Sequence, residues 1–206
     1  TSKEIDLRLD WGDVKCRLAK GCAADEEAPP KPLNEETVLR DYALEKLDPT
    51  QRVFANRVIL WAKDLVRVYK EIERTGKKLT VPLLRSWLGG SAGSGKSTTL
   101  KTVVQHVRLL FQREAIDAVI ELTAYTGVAA FNIGFGAKTA CSSFCVFPKA
   151  IWRNELPSDA QRKLERQWRD VVLLIVDEVS FIGRAFFARM HWRLMQAKRT
   201  LYSKTA

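Results

Sequence analysis

The segment that most constrains the fold is a glycine-rich loop at Gly90–Thr98, spelled Gly-Ser-Ala-Gly-Ser-Gly-Lys-Ser-Thr. It satisfies the pattern Gly-x4-Gly-Lys-(Ser/Thr), in which glycines let backbone N–H groups approach a phosphate without a Cβ in the way. At average residue frequencies this pattern arises by chance in only about one chain of this length in a hundred. The loop therefore predicts a phosphate-binding site between a strand and a helix.

The residue types in this loop suit a nucleoside triphosphate with Mg²⁺. Lys96 can reach the β and γ phosphates as a point charge, and the Ser97 hydroxyl can ligate Mg²⁺. The helix that follows adds its positive N-terminal end. The predicted ATP-binding residues in this segment are Gly90, Ala92, Gly93, Ser94, Gly95, Lys96, Ser97 and Thr98.

The sequence on both sides of the loop supplies the context that such a site needs. Residues 81–88 are mostly apolar and predict a strand that leads into the loop. From Lys96 onward apolar residues recur at helical spacing: Leu100, Val103, Val104, Val107, Leu110 and Phe111. The predicted order is therefore strand, loop and helix.

A second chemical motif follows an almost unbroken apolar run at residues 171–176, where Asp177 and Glu178 stand side by side. Such a run predicts a buried parallel strand, and open α/β sheets bind ligands at the carboxyl ends of their strands. Two adjacent carboxylates are costly to bury unless a cation or a water molecule uses them. Asp177 is predicted to hold Mg²⁺ opposite Ser97, and Glu178 to polarise the attacking water. Lys96, Asp177 and Glu178 are thus the predicted catalytic residues.

Other segments have recognisable helix and strand patterns. Asp48 can cap a helix that has Pro49 at its first position, and the apolar spacing continues to about Arg74. Residues 118–123 predict a strand that runs into a segment of small residues, where a further helix starts. Residues 158–169 predict a polar helix, and residues 184–199 predict the last one. Together these segments predict an α/β fold, a mainly parallel sheet with helices on both faces.

Charge divides the chain unevenly. Residues 1–50 carry 8 basic and 12 acidic side chains, a net charge of −4, whereas the other residues carry 26 and 12, a net charge of +14. Prolines and acidic residues around positions 25–32 oppose helix formation, so residues 1–46 are predicted to be a flexible acidic leader. The basic part contains the loop, which favours a polyanionic partner, although a solvated basic surface would give the same balance.

The cysteines and the N-terminus indicate the expected compartment. Cys16, Cys22, Cys141 and Cys145 form neither a Cys-x-x-Cys pair nor a dense disulfide pattern, which favours a reducing compartment. No run approaches the roughly 20 apolar residues of a membrane span, and the charged N-terminus does not resemble a secretory signal. An intracellular protein is expected, and its first residue, Thr1, is consistent with a fragment or a processed form.

Four blocks in a fixed order resemble the PIF-type DNA helicases of superfamily one, including the helicase part of Helitron transposons. Leu47–Gln51 resembles the family's Q motif, and Gly90–Ser97 is similar to its phosphate loop, Gly-x-Ala-Gly-x-Gly-Lys-Ser. Thr123–Gly134 resembles the segment Thr-Ala-x-Thr-Gly-x-Ala-Ala-x-x-Ile-Gly, and Val176–Arg184 resembles the Asp-Glu-x-Ser block. The resemblance covers residues 47 to about 199 and is most particular in the third block.

The resemblance implies that residues 47–206 are the first RecA-like domain of an ATP-dependent 5′-to-3′ DNA helicase. Gln51 would contact the adenine of ATP. Single-stranded and forked DNA would be the partners of a monomer that works in the nucleus or the mitochondrion. The residues implied to face DNA are Thr126, Gly127, Asn132 and Ser142.

The chain also departs from the family pattern. Cys141 stands where the family has a histidine, which puts in doubt how that loop holds DNA. Nothing after Arg199 resembles the family's sensor block, its second RecA-like domain or its arginine finger. The resemblance therefore implies that this segment alone binds ATP and hydrolyses it feebly. Two alternatives stay open: another P-loop ATPase that acts on proteins or duplex DNA, and a catalytically incomplete DNA-binding remnant of a transposon.

Overall fold

A computed structural model describes residues 32–76, 83–91, 93–147 and 152–198. These residues fall into two compact units that divide between Ile120 and Glu121. The part up to Ile120 is called the N-terminal unit, and the part from Glu121 is called the C-terminal unit. Residues 1–31, which include most of the predicted leader, lie outside the described residues.

Helices form the N-terminal unit. Helix α1 spans Glu35–Asp41, a 3-10 helix spans Leu44–Lys46, α2 spans Pro49–Thr75, and α3 spans Lys96–Arg113. Helices α2 and α3 pack against each other, and α1 packs against α3. Their shared core is apolar: Val38, Leu47, Ala55, Val58, Trp61, Ala62, Leu65, Val66, Val103, Val104, Val107 and Phe111.

Residues 32–46 are held on α3 by specific contacts. The Gln112 carboxamide bonds both the N–H and the carbonyl of Leu33, and Arg113 forms an ion pair with Glu35. Asn34 caps α1 by accepting a bond from the N–H of Thr37. This segment belongs to the predicted leader, and the division of the chain into a leader and an ATPase domain remains a prediction.

Helix α2 confirms the predicted start and end. Asp48 is its N-cap and Pro49 its first residue, while Gly76 ends it with φ 65°, a left-handed conformation that costs glycine little. The apolar spacing of α2 predicts which residues are buried less well than it predicts the helix, because Val53 and Leu60 are 71% and 60% exposed. Both side chains lie outside the stripe that faces α3, since a helix of this length buries one face only.

The strand predicted at residues 81–88 is wrong for its described part. Residues 83–91 adopt neither helix nor strand, and Leu83 and Trp87 are 75% and 71% exposed. An apolar run becomes a strand only when a neighbouring strand supplies hydrogen-bond partners, and composition alone does not provide them. Residues 81 and 82 lie outside the described residues.

The C-terminal unit, together with Val119 and Ile120, combines a small sheet with helices. Its strands are β1 (Val119–Ala124), β2 (Lys138–Thr139) and β3 (Val171–Asp177), in the order β2-β1-β3 within the described residues. Strands β1 and β2 pair in parallel, with Thr123 opposite Lys138. The helices are α4 (Gly127–Ile133), α5 (Ala140–Phe144), α6 (Ser158–Arg169) and α7 (Arg184–Ala197), and a 3-10 helix spans Val179–Phe181.

The core of the C-terminal unit lies among α5, α6, β3 and α7. Its buried members are Ala140, Phe144, Val146, Leu164, Trp168, Val171, Phe186, Met190 and Ala197. The rings of Phe144 and Trp168 lie 4.7 Å apart between centroids. Strand β3 is less buried than predicted, because only Val171 and Leu173 are fully buried. It is an edge strand of the described sheet, so one of its sides has no neighbouring strand.

The fold is of the α/β class, with a small parallel sheet and packed helices, as the sequence predicts. The predicted helices at residues 96, 158 and 184 begin at those residues, and the strand predicted at 118–123 is observed at Val119–Ala124. Among the described helices, none is both long and apolar enough to cross a membrane.

Candidate functional site

Glycines shape the phosphate loop, defined here as Gly90–Gly95. Gly90, Gly93 and Gly95 have φ values of 155°, 78° and 76°, which residues with a Cβ rarely adopt. The Ser94 N–H donates to the Ser91 carbonyl at 3.3 Å and closes the turn. The predicted ligand Ala92 lies outside the described residues.

Lys96 begins helix α3 and directs its ammonium group into the phosphate loop. The Nζ atom donates to the carbonyls of Gly90 at 2.8 Å and Ser91 at 2.6 Å, and it lies 3.5 Å from the Ser94 hydroxyl. Gly95 is the N-cap and has no side chain to accept a bond from the first turn of α3. The loop thus combines a cation with a helix start whose N–H groups are free of a side-chain cap.

The two residues after Lys96 are exposed. Ser97 and Thr98 present their hydroxyls at the first turn of α3, whereas the next residue, Thr99, is buried and donates its hydroxyl to the Gly95 carbonyl at 3.0 Å. A triphosphate with Mg²⁺ requires a cation that binds the phosphates and an oxygen that ligates the metal, and an ammonium group beside an accessible hydroxyl supplies both. Lys96 and Ser97 therefore carry the groups expected of the predicted phosphate and Mg²⁺ ligands.

The structure brings Gln51 to the phosphate loop. Gln51 lies at the third position of α2, and its Nε2 atom donates to the Ser94 carbonyl at 2.8 Å. Its Oε1 atom accepts a bond from the Asp48 N–H at 3.3 Å. Gln51 thus contacts the loop directly, and its predicted contact with adenine stays a prediction.

The Asp48 carboxylate caps the start of α2. The Asp48 carboxylate accepts bonds from the Thr50 N–H at 2.8 Å, the Thr50 hydroxyl at 2.6 Å and the Gln51 N–H at 3.1 Å. The Thr50 hydroxyl and the backbone N–H of Gln51 lower the pKa of Asp48. Asp48-x-x-Gln51 is a capping box, a pattern that is visible in the sequence but predicts nothing about the loop.

Asp177 and Glu178 lie at the end of β3 in the C-terminal unit. Asp177 is half-buried, and its Oδ1 atom accepts a bond from the Glu178 N–H at 2.9 Å. Glu178 is exposed and has φ 51° and ψ 36°, a left-handed backbone that is rare for a residue with a long side chain. Backbone strain of this kind concentrates at functional sites, where the rest of the fold holds it in place.

Three of the residues predicted to face DNA lie in or beside α4. Thr126 is its N-cap and accepts a bond from the Ala129 N–H at 3.1 Å, so its hydroxyl already serves the helix. Thr126, Gly127 and Asn132 are exposed, as are Val128 and Phe131, while Ala129, Ala130 and Ile133 face the interior.

Ser142 is half-buried in α5, unlike the exposed residues of α4. Its N–H bonds the hydroxyl of Thr139, the N-cap of this helix, at 3.3 Å. Cys141, which stands at the family's histidine position, is also half-buried, and burial raises the pKa of its thiol. The DNA contacts assigned to these helices remain predictions.

The C-terminal unit contains a clamp around Arg193 that the sequence does not predict. Arg193 of α7 is 3% exposed and donates to the carbonyls of Arg153 at 2.7 Å and Asn154 at 3.0 Å. Its guanidinium lies 4.3 Å from the centre of the Trp152 ring, and burial lowers its pKa. Trp192 and Gln196 also donate to the Asn154 carbonyl. An arginine in a helical pattern gives no sign of such a role.

Comparison with known proteins gives a family match over most of the chain. Residues 63–205 match the model of the PIF1-like helicase family. The matched range includes the phosphate loop, the Thr123–Gly134 segment with helix α4, and Asp177-Glu178, and it begins after Gln51. No solved structure matches the chain.

Three curated relatives match about half of the chain. It is 34% identical over 93 residues to "ATP-dependent DNA helicase RRM3" of Saccharomyces cerevisiae, covering 45% of the chain and 12% of that protein. It is 31% identical over 113 residues to "ATP-dependent DNA helicase PIF7" of Trypanosoma brucei brucei, covering 52% and 10%. It is 29% identical over 93 residues to "ATP-dependent DNA helicase PIF1" of Candida albicans, covering 45% and 10%. The chain thus spans about a tenth of the length of these relatives.

Proposed function

The chain belongs to the PIF1-like helicase family, and from that premise we propose that it carries the ATP-binding site of an ATP-dependent DNA helicase. The observation that supports this most is the phosphate loop. Three glycines with positive φ shape the loop, and the Lys96 ammonium group bonds the carbonyls of Gly90 and Ser91 at a helix start that has no side-chain cap. This arrangement offers a cation and several N–H donors to a triphosphate.

Each predicted residue has a proposed part in hydrolysis. Lys96 would hold the β and γ phosphates. Ser97 and Asp177 are each proposed as Mg²⁺ ligands on the chemistry of their own motifs, and Mg²⁺ would spread the negative charge of the phosphates. Glu178 accepts a proton from the attacking water. Gln51 contacts adenine with the N–H and the lone pair that its bonds to Ser94 and Asp48 leave free.

Single-stranded DNA is the proposed polymer partner. Thr126, Gly127 and Asn132 support this proposal because they lie exposed in and beside α4, and the half-buried Ser142 is proposed with them. The 5′-to-3′ direction, a preference for forked DNA, a monomeric state and a nuclear or mitochondrial location come from the resemblance alone.

The test begins with binding of Mg·ATP to the 206-residue chain, measured by calorimetry. We expect Lys96→Ala to weaken ATP binding strongly and to abolish hydrolysis, whereas Glu178→Gln should bind ATP like the wild type but stop turnover. Equal loss of binding in both variants would contradict these roles.

The alternatives differ in how DNA affects hydrolysis. A helicase of this family should hydrolyse ATP faster when single-stranded DNA is added, however slow the basal rate. Another P-loop ATPase should respond to duplex DNA or to protein instead, and a catalytically incomplete remnant should bind DNA without any stimulated turnover. A titration with single-stranded oligonucleotides, using Glu178→Gln as the blank, separates these outcomes.

A further inference from the structure

The Gln51 carboxamide joins the start of helix α2 to the phosphate loop. Its Oε1 atom accepts from the Asp48 N–H at 3.3 Å, and its Nε2 atom donates to the Ser94 carbonyl at 2.8 Å. Because one partner is a donor and the other an acceptor, the two bonds together fix the orientation of the amide. The carboxamide oxygen therefore bonds the start of α2, and the carboxamide nitrogen bonds the phosphate loop.

Gly95 packs directly against this carboxamide. A Cβ at Gly95 would lie 2.6 Å from Gln51 Nε2, closer than real Cβ atoms approach a neighbour. Gly95 is also the N-cap of α3, with φ 76°. The N-cap of α3, Gly95, thus lies against the Gln51 side chain and has no side chain of its own to interfere.

The other end of this link is rigidly held. Arg52, next to Gln51, donates to the carbonyls of Leu44 at 3.1 Å, Glu45 at 2.9 Å and Leu47 at 3.0 Å. Leu47 is 3% exposed in the core of the unit, and the Asp48 carboxylate caps the helix. The backbone that carries Gln51 is therefore held in place by hydrogen bonds and by the buried Leu47.

We propose that Gln51 is a positioning residue for the phosphate loop, independent of which base the nucleotide carries. It holds the Ser94–Gly95 peptide, and so keeps the loop and the start of α3 in the arrangement that donates N–H groups to phosphates. The inference rests on the proposed function, because it needs the loop to bind a triphosphate. It differs from the adenine contact in its consequence: a base contact acts only on adenine nucleotides, whereas a loop support acts on any triphosphate.

The decisive ligand is inorganic tripolyphosphate with Mg²⁺, which has the phosphates and no base. We expect Gln51→Ala to weaken binding of tripolyphosphate about three- to tenfold, as for the loss of one neutral hydrogen bond. Binding of ATP should weaken by at least as much, because ATP also loses the proposed adenine contact. If Gln51→Ala weakened ATP alone, or neither ligand, the positioning role would be wrong.

Two further variants separate positioning from general stability. Gln112 is the matched control: its carboxamide also makes two backbone bonds in the same unit, to the N–H of Leu33 at 2.6 Å and to its carbonyl at 3.0 Å. Gln112→Ala should leave tripolyphosphate binding unchanged, and an equal loss there would overturn the inference. Gln51→Glu keeps the acceptor for the Asp48 N–H but loses the donor to Ser94 and adds a negative charge beside the phosphate loop, so it should bind at least as weakly as Gln51→Ala. Wild-type affinity in Gln51→Glu would count against the Ser94 bond.

Failure of the proposed function has a different outcome. If the loop does not bind phosphates, the wild-type chain will bind neither tripolyphosphate nor ATP, and Lys96→Ala will change nothing. That result rejects both proposals. If the wild type binds both ligands and Lys96→Ala loses both while Gln51→Ala loses neither, only the positioning role of Gln51 is rejected.

Discussion

Gly93 and Gly95 have nearly the same backbone conformation, with φ of 78° and 76°, but they have different surroundings. A Cβ at Gly93 would meet no atom within 4 Å, whereas a Cβ at Gly95 would meet Gln51 Nε2 at 2.6 Å. The two glycines therefore separate the cost of a left-handed backbone from the cost of a contact.

We expect Gly93→Ala to lower the free energy of unfolding by about 1 kcal/mol, the cost of placing a Cβ in a left-handed conformation. Gly95→Ala should cost more, because the Gln51 carboxamide must also move. Adding Gln51→Ala to Gly95→Ala should recover part of this excess. Urea denaturation of the four proteins provides the test, and equal costs for the two glycines would show that Gln51 yields freely.

Glu178 holds a left-handed conformation that asparagine tolerates better than most residues do. Glu178→Asn should therefore be more stable than Glu178→Gln by about 0.5–1 kcal/mol, although both replace the carboxylate with an amide. The midpoint of thermal unfolding should differ by about 1–4 °C. A Glu178→Asn variant that is less stable than Glu178→Gln would mean that the backbone at this position is not strained.

At the scale of elements, the start of α2 depends on a charged cap. The pKa of Asp48 is lowered by the hydroxyl of Thr50 and the N–H of Gln51, so the folded state favours the carboxylate. Its contribution to stability is therefore present above the ordinary aspartate pKa of about 3.9, and it is lost as the pH falls through the lower pKa of the folded state.

Asp48→Asn keeps a capping oxygen but cannot be charged. We expect the wild type to be more stable than Asp48→Asn near pH 6, because the carboxylate also interacts with the positive end of the helix. That difference should shrink and vanish as the pH is lowered below about 3.9. Chemical denaturation of both proteins at several pH values measures it, and a difference that does not change with pH would contradict a charged cap.

Helix α7 anchors the segment that precedes α6. Arg193 is buried and donates to two carbonyls of this segment while it stacks on Trp152. Arg193→Ala should therefore destabilise the chain by about 1–3 kcal/mol, since the Arg153 carbonyl loses this donor and the packing on Trp152 is lost. The Asn154 carbonyl keeps its bonds from Trp192 and Gln196. Arg193→Lys should restore only part of the lost stability, because an ammonium group cannot reproduce the planar fork.

Limited proteolysis with trypsin reports on the same anchor locally. When the segment is released, the bond after Arg153 should be cleaved faster in Arg193→Ala than in the wild type. Arg162 on α6 is exposed, and Arg162→Ala is a suitable control that should leave this cleavage rate unchanged. Unchanged cleavage in Arg193→Ala would show that other donors, such as Trp192 and Gln196, hold the segment by themselves.

At the scale of the whole molecule, the net charge of +14 over residues 51–206 favours binding to a polyanion. Single-stranded DNA releases counterions when it binds, so the logarithm of the affinity should fall by about 0.7 per phosphate contact for each tenfold rise in salt. With about five contacts, the affinity should fall roughly a hundredfold between 50 and 200 mM salt. Fluorescence anisotropy with a labelled oligonucleotide measures this, and binding that is insensitive to salt would argue against a phosphate-tracking surface.

Local patterns predicted the elements whose signals are local. Asp48 and Pro49 mark the start of α2, and apolar spacing located α3. Apolar runs located β1 and β3, and a polar, charged segment indicated α6. The strand predicted at residues 81–88 is wrong for residues 83–88, and the full burial predicted for β3 is wrong too, because strand pairing depends on partners that are distant in sequence. The Arg193 clamp was missed for the same reason, since its acceptors lie about 40 residues away.

The sequence by itself determined the α/β class, and it is the basis on which Lys96, Asp177 and Glu178 are predicted to be catalytic, because their motifs are short and their chemistry depends on residue type. It also indicated the family, since four blocks occur in a fixed order. Only the tertiary structure showed that the Gln51 carboxamide bonds the phosphate loop and that a Cβ at Gly95 would displace it. The separation of 43 positions between Gln51 and Ser94 explains the difference: a hydrogen bond over that distance in sequence depends on how α2 and α3 pack, which no local pattern encodes.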